Sequence, residues 1–230
     1  MRTDLLCRCH YFAGLAEETL TAAASAAQLR HVSGGEFFFR QGDPASHFYV
    51  LAEGHARLSQ ITPEGRQVIM GLIGPAHAIG IIAAIPGALY PLDLQATQDS
   101  QALTWNQRTL HMLLESHPVL GLRALRMVSS RFVELQDRYR ELATERVERR
   151  LARAILRLVA QVGRPEAGGV TIALPLARQD LAELTGTTLY TVSRTLSAWE
   201  DAGIIRSGRE RVTLCDPARL TAIAEDLPTA

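Results

Sequence analysis

The stretch "TTLYTVSR", residues 187 to 194, gathers hydroxyls, a phenol and a guanidinium within one short segment. Arg194 carries the most specific chemistry. Its planar fork matches O6 and N7 of guanine in a duplex major groove. Ser193 suits a base edge or a phosphate oxygen, and Tyr190 belongs to the same outward set. Thr188, Thr191, Gln179 and Arg209 suit phosphate contacts, which position a protein on DNA without reading sequence.

That chemistry needs a helix to present it. Leu189, Val192, Leu196 and Trp199 recur at steps of three and four, which predicts a helix from about Leu189 to Ala202 with these residues on its buried face. Upstream, Arg178 to Thr185 form a shorter helix with apolar Leu181, Ala182 and Leu184. Gly186 stands where a tight turn needs positive φ, and Thr187 or Thr188 can cap the second helix. "DAGIIRSGRERVTL" then predicts a helix stop and a two-stranded wing with Gly208 in its turn. Helix, turn, helix and wing together point to double-stranded DNA.

Further upstream, Leu125, Val128, Phe132, Leu135, Tyr139 and Leu142 alternate steps of three and four along a long helix that opens at Pro118. So narrow a stripe is the seam of a two-stranded coiled coil and predicts a homodimer. Residues 32 to 105 consist of short apolar runs broken by Gly-Gly, Gly-Asp-Pro and Pro-Glu-Gly, a pattern of short strands joined by turns. "RLSQITPEGRQVIMGLI" is the clearest hairpin, with Pro63, Glu64 and Gly65 at its tip. Before it, Ala-rich residues 11 to 30 predict a helix; after it, "ERVERRLARAILRLVAQVG" predicts another, "GRPEAGG" a polar loop and "VTIALPL" a short strand. The expected division is a sensor of residues 1–117, a dimerisation helix of 118–145 and a DNA-binding domain of 146–230. The fold class is α+β.

The chain has 230 residues, 47% of them apolar, with zero formal charge, and all 24 basic residues are arginine. No apolar run reaches the roughly eighteen residues of a spanning helix. The N-terminus lacks a signal-peptide pattern, so no membrane partner and a cytoplasmic location are expected. Neither a phosphate-binding loop nor zinc spacing nor a nucleophile triad is present, which argues against an enzyme. The three cysteines, Cys7, Cys9 and Cys215, cannot frame a disulfide fold. Cys7 and Cys9 leave a thiol redox switch open. All seven histidines lie in the N-terminal half, and imidazole is a haem ligand.

Taken together, "FRQGDPASHFYVLAEGHARL", "TPEGRQVIMGLIGP" and "RQDLAELTGTTLYTVSRTLSAWEDAGII" resemble the Crp/Fnr family of bacterial transcription regulators, from about Phe12 to Leu220. The resemblance implies an N-terminal β-roll sensor like a cyclic-nucleotide-binding domain, a dimerisation helix and a C-terminal winged helix-turn-helix. It also implies a two-fold symmetric operator and contact with RNA polymerase. Members that bind cyclic AMP carry Gly-Glu and then Arg-Ser in the sensor loop. Here Ile81 stands at the acid and Tyr90 and Pro91 at the Arg-Ser pair, so no cyclic nucleotide is expected. Four cysteines for an Fnr-type iron–sulfur cluster are lacking, so none is expected. Ser193-Arg194 resembles the Fnr branch, in which Glu stands at the position of Tyr190. The segment looks closest to the NnrR/Dnr-type nitric-oxide-responsive denitrification regulators, with a TTG-like half-site. The apolar loop then predicts an effector pocket of His77, Ile79, Ile81, Tyr90 and Leu92, with nitric oxide or another diatomic gas as effector. Haem held by His77 or His10 is the cofactor expectation, and a ligand-independent or thiol-responsive regulator is the alternative.

Overall fold

The structure, a computed structural model, describes residues 2–63, 65, 67–173, 175–208 and 210–227. The chain divides into two compact units, one of Met1–Arg66 and Leu72–Glu134, the other of Gln67–Gly71 and Leu135–Ala230.

The first unit opens with helices α1 (Arg2–Arg8) and α2 (Glu17–Ala26), followed by strands β1 (Gln28–Val32), β2 (Phe37–Phe39), β3 (His47–Glu53) and β4 (Ala56–Ile61). Strands β5 (Gln67–Ile73) and β6 (Ala78–Ile79) lead to a 3-10 turn at Ile81–Ala84, then to β7 (Asp93–Ala96), β8 (Ser100–Asn106) and α3 (Gln107–Ser116). Two four-stranded sheets result, ordered β1-β8-β3-β6 and β2-β7-β4-β5. In the first, Phe48 faces Trp105 and Val50 faces Leu103 across antiparallel β3 and β8. The buried side chains Phe12, Phe48 and Trp105 stack at centroid distances of 5.6 to 6.4 Å. The Trp105 indole donates to the Ala23 carbonyl at 2.8 Å, which ties the sheet to α2.

Three sequence expectations change here. Residues 11 to 30 are not one helix: α2 ends at Ala26 and β1 begins two residues later. Gln28 to Val32 pair with Thr104 to Ser100, so sheet pairing overrides the alanine-rich helix propensity. The N-terminal helix α1 was not anticipated. Glu64, at the expected hairpin tip, lies outside the described residues, whereas Gly65 takes φ +77° as its turn requires.

Helix α4 (Pro118–Thr144) is continuous, as expected. In the second unit it is followed by α5 (Val147–Val162), β9 (Gly163–Glu166), β10 (Gly169–Ile172), α6 (Arg178–Thr185), α7 (Leu189–Asp201), β11 (Ile205–Gly208), β12 (Arg211–Leu214) and α8 (Pro217–Glu225). "GRPEAGG" is not a loop: its first half is β9, paired with β10. The wing is accordingly part of a four-stranded sheet, β11-β12-β10-β9. Gly169 permits this, because a Cβ there would lie 2.2 Å from the Leu214 carbonyl oxygen. The core of this unit is Leu151, Ile155, Leu158, Leu181, Val192, Leu196, Trp199 and Leu220.

Candidate nucleic-acid interface and effector region

Helix α6 ends in Gly186 at φ 61° and ψ 45°, the left-handed cap the sequence required. Thr188 caps α7: its hydroxyl accepts from the Thr191 amide at 3.2 Å and pairs with the Thr191 hydroxyl at 2.9 Å. Both threonine hydroxyls are therefore engaged with each other at the tip of α7. Gln179 is exposed on α6 and donates to Glu183 at 3.1 Å. Arg194 is exposed, Ser193 is half-buried, and Tyr190 is 75% exposed. Arg209 lies outside the described residues.

One expected core residue is outside the core. Val192, Leu196 and Trp199 are buried, but Leu189 is 47% exposed. Helical side chains lean toward the N-terminus, so a first-turn residue leans past the end of its own helix. Leu189 thus joins Tyr190 on the presenting tip.

The end of α4 meets the reading head through charge and backbone. Glu141 is 4% exposed. Arg157 of α5 grips it with three bonds of 2.8, 3.1 and 3.2 Å. Arg153 lies 3.8 Å from Glu141 and 3.3 Å from Glu145. Arg150 donates to the Glu145 carbonyl at 2.8 Å and to the Thr185 carbonyl at 3.1 Å, bridging the end of α4 and the end of α6. None of these pairs is visible as a motif, because each joins different helices. Along α4 itself, Leu125, Val128, Phe132, Leu135, Tyr139 and Leu142 are 52 to 74% exposed. The chain covers none of this stripe with its own core.

In the sensor, Tyr90 is buried, and its ring stacks on Phe39 at 3.8 Å and 11°. Its hydroxyl accepts from the His47 amide at 2.9 Å and donates to the His47 carbonyl at 2.7 Å. Burial pushes its phenol pKa up. Beside it, Tyr49 accepts from Arg30 at 2.7 Å, which engages that guanidinium. Gly80 passes so close that a Cβ would lie 2.9 Å from the His47 carbonyl oxygen. Ile79 is buried, whereas Ile81 and Leu92 are half-buried. The loop is pinned to α3, where the His111 ring bonds the Ala84 carbonyl at 2.8 Å. The expected pocket residues thus surround a core of aromatic rings.

The haem expectation divides in the same way. His77 is half-buried, and its Nδ1 meets the Gly74 and Pro75 carbonyls at 3.1 Å, which orients the ring as a ligand imidazole is oriented. His10 is exposed on the N-terminal segment. Packed Phe39, Tyr49 and Tyr90 fill the interior that a porphyrin would need, so the described side chains do not fit a haem inside the roll. Cys7 is exposed while Cys9 is buried, and burial pushes the Cys9 thiol pKa up, away from the reactive thiolate.

A sheet-built sensor, an uncovered apolar helix and a winged helix-turn-helix define a DNA-binding regulator. Comparison with known proteins bears on this directly. Residues 149–223 match the Crp-like helix-turn-helix domain, and residues 29–117 match the cyclic nucleotide-binding domain. The chain belongs to the Crp/Fnr family of transcription regulators, which is not a family of enzymes. It is 22% identical over 94% of its length to a CRP-like cAMP-activated global transcriptional regulator of Mycobacterium tuberculosis, covering 97% of that protein. It is 28% identical over 84% of its length to the nitrogen fixation regulation protein FixK of Bradyrhizobium diazoefficiens, covering 81% of that protein. Its fold superposes on FixK2 from Bradyrhizobium japonicum with a TM-score of 0.76, at 23% identity, covering 89% of this chain and 98% of that one. Among the described residues, no helix is long and apolar enough to cross a membrane.

Proposed function

We propose that this chain is a homodimeric regulator whose paired α7 helices read a two-fold symmetric operator, and that its sensor roll works without a cyclic nucleotide. Tyr90 carries the second half of that reading. It stands where the family resemblance puts the phosphate-binding arginine, and it is tied into the core by Phe39 and the His47 backbone. A cyclic phosphate there would lose its counter-charge and would have to displace a packed ring. The uncovered stripe on α4 supports the dimer, and family relatives are dimeric regulators. Contact with RNA polymerase belongs to the same proposal.

Regulation in such a dimer is a population shift, so a signal must favour one arrangement of the reading heads. Glu141, Glu145 and Arg150 supply the connection, since they join the end of α4 to α5 and to the helix-turn-helix turn. The test is binding-site selection from randomised duplexes, followed by titration with cyclic AMP. Selection of a palindromic site whose affinity ignores cyclic AMP supports the reading. An affinity that rises steeply with cyclic AMP overturns it.

A second reading is response to nitric oxide or another diatomic gas through haem, within an NnrR/Dnr-like role. Only the orientation of His77 favours it. Absorbance spectra with added haemin test it: a Soret band lost in His77→Ala supports this reading, and no band removes it.

A further inference from the structure

The tip of α7 is unusual for a surface meant to read bases. Leu189 is 47% and Tyr190 75% exposed, although both are large and apolar. On a helix, Leu189 neighbours Ser193 and Tyr190 neighbours Arg194, each four residues on. The four side chains therefore share one face. Its polar repertoire is narrow. The Thr188 and Thr191 hydroxyls are committed to the cap. From Thr187 to Ser197 there is no Asp, Glu, Asn or Gln. A carboxylate to accept from the cytosine amino group is missing, and so is an amide for bidentate contact with adenine. What an apolar side chain can distinguish in the major groove is the 5-methyl group of thymine.

We infer that Leu189 and Tyr190 form an apolar platform that selects thymine next to the guanine read by Arg194. The inference rests on the DNA-binding reading above and adds the base that the tip prefers. Burial is the driving force: the methyl group leaves water against two side chains that are themselves exposed in the free protein. Thymine is then chosen over cytosine, which has the same ring but carries no methyl group and offers an unmatched donor.

The experiment uses the full chain and the consensus duplex from binding-site selection. Each thymine is replaced in turn by deoxyuridine, symmetrically in both half-sites, which removes the methyl group and leaves base pairing intact. Affinity is read by fluorescence anisotropy at one fixed salt concentration. For the unaltered chain, one such replacement beside the guanine is expected to weaken binding about fifteenfold, or about fourfold per half-site, the worth of one buried methyl group. The Leu189→Ala, Tyr190→Ala double variant should bind the thymine and deoxyuridine duplexes equally. Both side chains are exposed, so the variant keeps the core of its unit. A consensus in which every deoxyuridine replacement is neutral overturns the inference and leaves the regulator reading standing. A methyl effect that persists in the double variant also overturns it, because other groups would then sense the methyl. If selection yields no consensus, the regulator reading itself fails and the inference falls with it.

Discussion

The grip of Arg157 on Glu141 allows a sharp prediction. Glu141 is buried, with its side chain only 5% exposed, while that of Arg157 is 34% exposed. Removing one partner of a buried pair costs about 3–5 kcal/mol when the remaining charge stays buried. Arg157→Ala leaves the Glu141 carboxylate inside, with only Arg153 at 3.8 Å to compensate. Its cost should reach about 3 kcal/mol. Glu141→Ala instead frees a guanidinium that is already one-third in water, so solvent screening lowers the cost to about 2 kcal/mol. The readout is amide hydrogen exchange along α5 in the intact protein. A loss of 2 kcal/mol corresponds to exchange about thirtyfold faster, if α5 opens as one unit. The double variant should cost less than the two singles combined, because they remove the same contact. Exchange in α5 at the unaltered rate in both variants would refute the argument, and so would Glu141→Ala proving the more damaging change.

Three further outcomes follow from the geometry. Arg194→Ala should lose about 1–3 kcal/mol for each guanine contacted and leave the dimer intact, as checked by gel shift and light scattering; unchanged operator affinity would remove Arg194 from the reading face. Phe132→Glu with Leu135→Glu places four charges in the α4 seam of a dimer and should yield monomers by light scattering. Gly186→Ala meets both strain at φ 61° and Leu142 Cδ2 at 2.9 Å, so it should cost about 1 kcal/mol or more in urea unfolding. That penalty should shrink in a Leu142→Ala background, where only the strain remains.

Dense periodicity made much of this molecule legible in advance. The seam of α4 and the buried face of α7 repeat over several turns, so their faces followed from spacing alone. Leu189 obeyed the same period and still lies outside the core, because periodicity names a face but not where neighbouring structure ends. Strand β9 was missed for another reason: an edge strand of Gly, Arg, Pro and Glu has no apolar alternation to betray it. Strand β1 was hidden by the alanines before it. In the sensor, Tyr90 was visible as a departure from the arginine of the resemblance. Its stacking on Phe39 and its double bond to the His47 backbone join positions about fifty residues apart or nearly so in sequence, and no local pattern encodes them. The ion pairs between α4 and α5 escaped for the same reason, since complementary charges on separate helices carry no register.

Arg150 has a consequence for retargeting. Its acceptors at Glu145 and Thr185 are main-chain carbonyls, which every residue type supplies. The joint between the long helix and the reading head therefore does not depend on which side chains face the groove. Exchanging Leu189, Tyr190 and Ser193 can give the protein a new address on the genome while its response to signal is inherited unchanged.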